Sequence, residues 1–230
     1  MFVTCIFVVI CPMKIILTGS TGMVGEGVLL ECLASPLVNE VLSVSRKPCG
    51  HIHPKLNEYI VPEFLDLKPD NTHFKGFDAC FFCAGISSVG RKEPEYTRIT
   101  FDTTIRFAEA VLSQSPDAVF IYVSGAGTDS SEKGRSMWAR VKGKTENTLA
   151  AMPFRNVYNF RPAFMKATAG QVHLLPVYKY MSWMYPLLKL LAPNSVSTLR
   201  QVALAMIRLA KEDVQKTIIK VQDIKELATT

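Results

Sequence analysis

The chain has 230 residues, 48% of them hydrophobic and 20% charged, with a formal net charge of +6. That length accommodates one sizeable α/β domain with at most a small appendage, and the composition excludes a disordered or fibrous chain. The positive charge is spread out, without a long Lys/Arg run or an alternation of basic and aromatic residues, so it argues for phosphorylated ligands or an anionic surface and against nucleic acid.

The first residues, 1–12, are almost wholly apolar but lack a basic start and a small-residue cleavage site, and they are too few to span a bilayer. We read them as a dispensable extension before Met13-Lys-Ile-Ile-Leu17, the start of a single domain over 13–230. Six cysteines, Cys5, Cys11, Cys32, Cys49, Cys80 and Cys83, all lie in the amino-terminal half. They form no disulfide framework and fit a reduced, cytoplasmic protein. Cys80 and Cys83 have CxxC spacing inside the apolar run 79–84, which reads as a buried strand.

Ile15 to Leu17 predicts a buried strand, broken at Gly19 and followed by Val24, Val28, Leu29, Cys32 and Leu33 at helical spacing. Gly19, Gly22 and Gly25 between them suit a tight turn, a close backbone approach to a pyrophosphate, and close helix-to-strand packing. Backbone N–H groups of this turn, through Met23 and Val24, face the phosphates with the helix dipole behind them. Ser20 and Thr21 offer hydroxyls beside them.

The second strand, 40–45, ends without a carboxylate and runs into Arg46 and Lys47. A carboxylate there would accept from a ribose 2′-hydroxyl, whereas Arg suits a 2′-phosphate, so NADP(H) is expected rather than NAD(H). Cys49, His51 and His53 share a short loop but lack a fourth ligand, so a turn beside the cofactor is expected and no metal site. A strand at 56–61 leads to the turn 64–67, and a strand at 78–83 leads to Ala84-Gly85.

Pro94 opens a helix over 95–115, with Ile99, Thr103, Phe107 and Ala110 expected on its buried face. A strand at 118–124 ends at Ser124, a helix covers 137–151, and a strand at 155–160 closes on Arg161-Pro162. The segment 172–191 is rich in aromatic residues and methionine, and its lysines and prolines argue against a membrane span. It suits a substrate lid, a partner face or a buried helix, within a helical substrate region at 172–211. Ser197 or Thr198 caps a helix to about 211. A strand at 217–221 and a short helix follow. This alternation predicts an α/β protein: a Rossmann-type doubly wound parallel sheet in a three-layer αβα sandwich, with a small carboxy-terminal helical lid.

The ordered set Thr18-Gly-Ser-Thr-Gly-Met-Val-Gly25, Asp66-Leu67, Cys83-Ala-Gly85, Tyr122-Val-Ser124, Val141-Lys142-Gly143 and Arg161-Pro162-Ala163 resembles the short-chain dehydrogenase/reductase superfamily. The likeness is to its atypical branch of NAD(P)-dependent epimerase/dehydratase-like and Tat-interacting-protein-like reductases. The resemblance implies a glycine turn on the pyrophosphate, Arg46 on the 2′-phosphate, Asp66 and Leu67 at the adenine, and Cys83 to Gly85 beside the adenosine ribose. It also implies cofactor contacts for Lys142 and Arg161. In catalytic members a Tyr moves the proton, a Lys four residues on lowers its pKa, and a Ser polarises the substrate. Ser124 and Lys142 match, but Trp138 stands at the Tyr position, and an indole N–H is not a general acid at neutral pH.

Two functions follow from this set. One is an NADP(H)-dependent oxidoreductase or epimerase-like enzyme on a small carbonyl or hydroxyl compound. The other is a non-catalytic NADP(H)-binding module that presents 172–191 to a partner. A membrane-surface role ranks last, and the residues leave oligomeric state open.

Overall fold

The computed structural model describes residues 12–174, 185 and 190–229. The apolar extension up to residue 11 and most of the predicted lid lie outside the described residues.

Seven strands form one parallel sheet: β1 (Met13–Thr18), β2 (Val38–Ser45), β3 (Leu56–Ile60), β4 (Ala79–Phe82), β5 (Val119–Val123), β6 (Asn156–Arg161) and β9 (Ile218–Lys220). Their order is β3-β2-β1-β4-β5-β6-β9, with every pairing parallel. The order reverses between β1 and β4, which opens a crevice at the carboxyl ends of those strands. The two-residue period of each strand splits the core into two layers. Ile15, Leu17, Phe81 and Ile121 face one side, and Ile16, Cys80, Phe82, Phe120 and Tyr122 the other.

The first layer is completed by α1 (Met23–Ala34), α5 (Leu199–Leu209) and α6 (Val221–Thr229), through Val28, Leu29, Val202, Met206 and Ile224. The second is completed by α3 (Thr103–Gln114) and α4 (Met137–Ala150), through Phe107, Ala108, Val111 and Leu149. These layers make the predicted αβα sandwich. Thr198 starts α5 with a capping box: its hydroxyl accepts from Gln201 N, and the Gln201 side chain accepts from Thr198 N. A second small sheet, β7 (Phe164–Lys166) beside β8 (Val196–Thr198), has no counterpart in the sequence reading. Three-residue strands carry too little alternation to be seen as such.

The helix expected over 95–115 is not uniform. A short α2 (Glu93–Thr97) passes through a π turn at Arg98–Asp102 before α3 begins. The wider turn rotates the amino-terminal part relative to the rest, so Tyr96, Thr100 and Thr104 are buried instead of Ile99 and Thr103. Phe107 and Ala110, beyond the turn, face inward as expected.

Candidate functional site

The turn between β1 and α1 is built by steric necessity. Gly19 has φ +78°, and a Cβ there would lie 2.7 Å from the backbone of Cys83 and Ala84. A Cβ on Gly25 would overlap the Gly19 carbonyl. These two glycines let α1 press against the ends of β1 and β4. Gly22 is different, since a Cβ there would sit 3.5 Å from its nearest neighbour, the Gly19 carbonyl oxygen. No side chain caps the helix that follows, so the N–H groups of its first turn are open to an incoming anion.

Over this turn lies a cavity of ≈ 580 Å³. Gly19, Thr21 and Gly22 form its floor, Arg46 stands at the end of β2, and Cys83, Ala84 and Gly85 follow β4. A Cβ on Gly85 would meet nothing within 4 Å, so that edge too is open. The remaining wall comes from Phe64 and Leu65 after β3 and from Arg98, Ile99 and Thr103 at the π turn. Ile99 and Thr103, expected in the core, thus face the cavity.

Several expected contacts go elsewhere. Ser20 is buried, with its hydroxyl 2.7 Å from that of Ser43, so its side chain braces β1 against β2 and does not line the cavity. Met23 packs into the core and Val24 against it, leaving only their backbone for a ligand. Lys47 is exposed and does not line the cavity; its carbonyl accepts from the Ser45 hydroxyl at 2.6 Å. Leu67 is buried under the sheet edge, and exposed Asp66 lines a neighbouring depression with Tyr59 and Asn71. The short 3-10 turn Phe64–Asp66 causes this shift, by turning Phe64 and Leu65 to the cavity in their place. A turn of that kind has no periodicity to read.

Ser124, Lys142 and Arg161 come together beside the cavity without lining it. Glu146, a buried carboxylate one turn beyond Lys142 on α4, is the shared partner of Ser124 and Arg161. Ser124 Oγ donates to Glu146 and lies 3.0 Å from the Phe160 carbonyl oxygen. Arg161 grips both Glu146 oxygens, Nε at 3.0 Å, and also reaches the Ser130 hydroxyl. Lys142 Nζ donates to the Ser124 carbonyl oxygen. Burial holds the Lys142 ammonium down at about 8, against the opposing pull of Glu146. Arg161 therefore spends its guanidinium on Glu146 and Ser130 and does not line the cavity. The signal for Glu146 was present in the sequence, as a carboxylate four residues after Lys142 on one helix face.

Trp138 is half-buried, its ring edge 3.3 Å from where a Cβ on Gly127 would lie. No tyrosine among the described residues lines the cavity in its stead. Tyr158 spends its hydroxyl on Val214, accepting from the backbone N–H at 2.9 Å. Tyr96 is buried at α2, where desolvation raises its pKa. Tyr185 lies beside Lys166, and Tyr178 is outside the described residues.

On the far side of the glycine turn, fully buried Glu26 accepts from Val172 N at 2.8 Å, His173 N at 2.7 Å and His51 Nε2 at 2.9 Å. Burial alone would raise its pKa, but these hydrogen bonds outweigh that and hold it low. His51 thus serves a carboxylate clamp that fastens the start of the 172–191 segment to α1. Among the described residues, no group of three or more His, Cys, Asp and Glu side chains is placed to hold a metal ion.

No protein-family model matches the chain. It is 25% identical over 161 residues to protein fmp52-1, mitochondrial, of Aspergillus terreus, covering 67% of this chain and 68% of that one. The corresponding fmp52 protein of Emericella nidulans is 24% identical over 165 residues, covering 69% and 68%. Among solved structures, the UDP-N-acetylglucosamine 4-epimerase from Methanobrevibacter ruminantium superposes with TM-score 0.66 at 15% identity, over 94% of this chain and 80% of that one. The chain has a Rossmann-type αβα fold. The ADP-L-glycero-D-manno-heptose-6-epimerase of Helicobacter pylori gives 0.64 at 15% identity, covering 95% and 81%. The Bordetella bronchiseptica enzyme WbmF, solved with NAD+, gives 0.61 at 17% identity, covering 94% and 76%. The resemblance drawn from the sequence holds at the level of the fold.

Proposed function

We propose that this chain is an NADP(H)-binding protein of the oxidoreductase or epimerase-like type, acting on a small carbonyl or hydroxyl compound. The observation that carries the reading is the cavity between the open glycine turn and Arg46, with Gly22 and Gly85 leaving room where a side chain would fill it. The residues present fit the group. The turn and the first N–H groups of α1 suit a pyrophosphate, Phe64, Leu65 and Ile99 an adenine, and Arg46 a 2′-phosphate. Such a cofactor supplies hydride chemistry when bound, and the protein's part is to orient it and manage a proton. WbmF, which shares the fold, was solved with NAD+; the absence of a carboxylate at the end of β2 supports the phosphorylated form for this chain.

The test is a fluorescence titration with NADPH and NADH of the wild type, Arg46→Ala and Gly22→Trp. Binding of NADPH at tens of micromolar or tighter, a level of roughly −6 kcal/mol, and its loss in both variants would support the reading. Absence of binding by either nucleotide would end it.

A second reading, cofactor binding without turnover, is favoured by Trp138 at the expected general-acid position and by the lack of a described tyrosine on the cavity. A carbonyl screen of wild type against Trp138→Tyr separates the two. Activity that appears only in the variant supports the binding module, and activity already present in wild type supports the enzyme.

For compartment, the free thiols Cys32, Cys49, Cys80 and Cys83 support a reducing one such as the cytoplasm. The fungal relatives are named mitochondrial. Cell fractionation decides between them. No described helix is long and apolar enough to cross a membrane.

A further inference from the structure

Five charged side chains line the cavity: Arg46, Arg91, Arg98, Glu63 and Glu95. They are not equivalent. Arg91 is paired with Glu95 one turn on, and Glu63 accepts from Leu65 N in its own loop at 3.3 Å. Arg46 and Arg98 are both exposed, and neither guanidinium has a hydrogen-bond or ion-pair partner among the described residues. They approach from different elements. Arg46 follows β2, and Arg98 begins the π turn after α2, next to Ile99 on the same wall. Phe64, Leu65 and Ile99 supply an apolar surface in the same cavity.

An unpaired arginine on an exposed helix face is ordinarily just solvated. Here a carboxylate partner lies within reach in sequence, Glu95 at three residues' distance, yet Glu95 pairs with Arg91 and leaves Arg98 directed at the cavity. A phosphate monoester carries close to two negative charges near neutral pH and has three acceptor oxygens. Two unpaired guanidiniums in one cavity match that charge, and each can present two N–H groups to it.

We infer that Arg98 is the second arm of a clamp on the 2′-phosphate of the dinucleotide, closing from the π turn against Arg46. The inference rests on the dinucleotide reading and extends it: NADP(H) selectivity is divided between the end of β2 and the helix after β4.

The experiment uses the full chain as wild type, Arg98→Gln, Arg98→Lys and Arg46→Gln. Dissociation constants for NADPH and NADH are read by nucleotide fluorescence, and that for 2′,5′-ADP by calorimetry. Thermal unfolding serves as the folding control, since Arg98 is exposed and its removal breaks no contact. Arg98→Gln is expected to weaken NADPH and 2′,5′-ADP about tenfold, the factor for one lost charge-assisted hydrogen-bonding partner, while NADH changes less than about twofold. Arg98→Lys should fall between, because an ammonium keeps the charge and loses the fork. Equal weakening of NADPH and NADH, or no change in either, overturns the clamp while leaving the dinucleotide reading intact. If the wild type binds neither nucleotide, both fall together.

Discussion

The two halves of the crevice treat their polar groups in opposite ways. Around the glycine turn, Thr21, Arg46 and Arg98, with the open edges of Gly22 and Gly85, face a cavity and have few protein partners. In the half that holds Ser124, Lys142, Glu146 and Arg161, every such group is already bonded to another. Unpartnered polar groups around a cavity are poised for a ligand. A closed buried network instead stabilises the chain and fixes where its elements meet. The contrast supports the nucleotide-binding reading proposed above, with the Ser124–Glu146 corner closed on itself.

The largest test of that contrast is Glu146→Ala. It would leave the Arg161 guanidinium without its carboxylate and the Ser124 hydroxyl without its acceptor. We expect a loss of about 3–5 kcal/mol in urea unfolding, with NADPH affinity of the remaining folded protein little changed. A fall in affinity at unchanged stability would show that the network belongs to the ligand site after all.

Gly25→Ala comes next, because its methyl overlaps backbone that cannot move without separating α1 from β1. A cost of about 1–3 kcal/mol is expected, together with loss of nucleotide binding. Retained stability with lost binding would mean that the turn opens to accept the methyl.

Lys142 gives a smaller, pH-dependent effect. Its folded pKa is about 8, lowered from 10.5. Between those values the unfolded chain holds a proton that the folded chain has released, so this group's contribution to stability rises with pH across that window. Relative to Lys142→Met, the wild type should gain on the order of 2 kcal/mol between pH 7.5 and 10, measured by urea midpoints. A flat difference would mean that the ammonium is solvated. The smallest structural effect belongs to Gly85→Ala, expected to leave stability within about 0.5 kcal/mol while weakening NADPH. Unchanged binding there would remove the Gly85 edge from the ligand's path.

The sheet and its glycine turn were legible because short apolar runs, turn glycines and helical periodicity are local signals. The strands at 15–17, 40–45 and 118–124 and the capped α5 followed from them. Residues that depend on the exact rotation of a turn were not. The 3-10 turn exchanged Asp66 and Leu67 for Phe64 and Leu65, and the π turn exchanged Ile99 and Thr103 for Thr100 and Thr104 in the core. One residue more or less in a turn reverses what faces a cavity, and no periodicity reports it in advance.

Ser124, Lys142 and Arg161 mark a similar limit. Their positions, after β5, at the end of β6 and inside α4, were readable, and so was the meeting of the two strand ends, since parallel order brings those ends together. Glu146 carried a sequence signal in its spacing from Lys142, but its pairing with Ser124 and Arg161 was decided only in three dimensions, because a largely buried guanidinium must find a carboxylate wherever packing supplies one. Sequence alone determined the αβα architecture, the glycine turn and the basic end of β2, since each is a property of neighbouring residues. Tertiary structure alone decided which polar groups stay free for a ligand, since that depends on what every other side chain has already bonded.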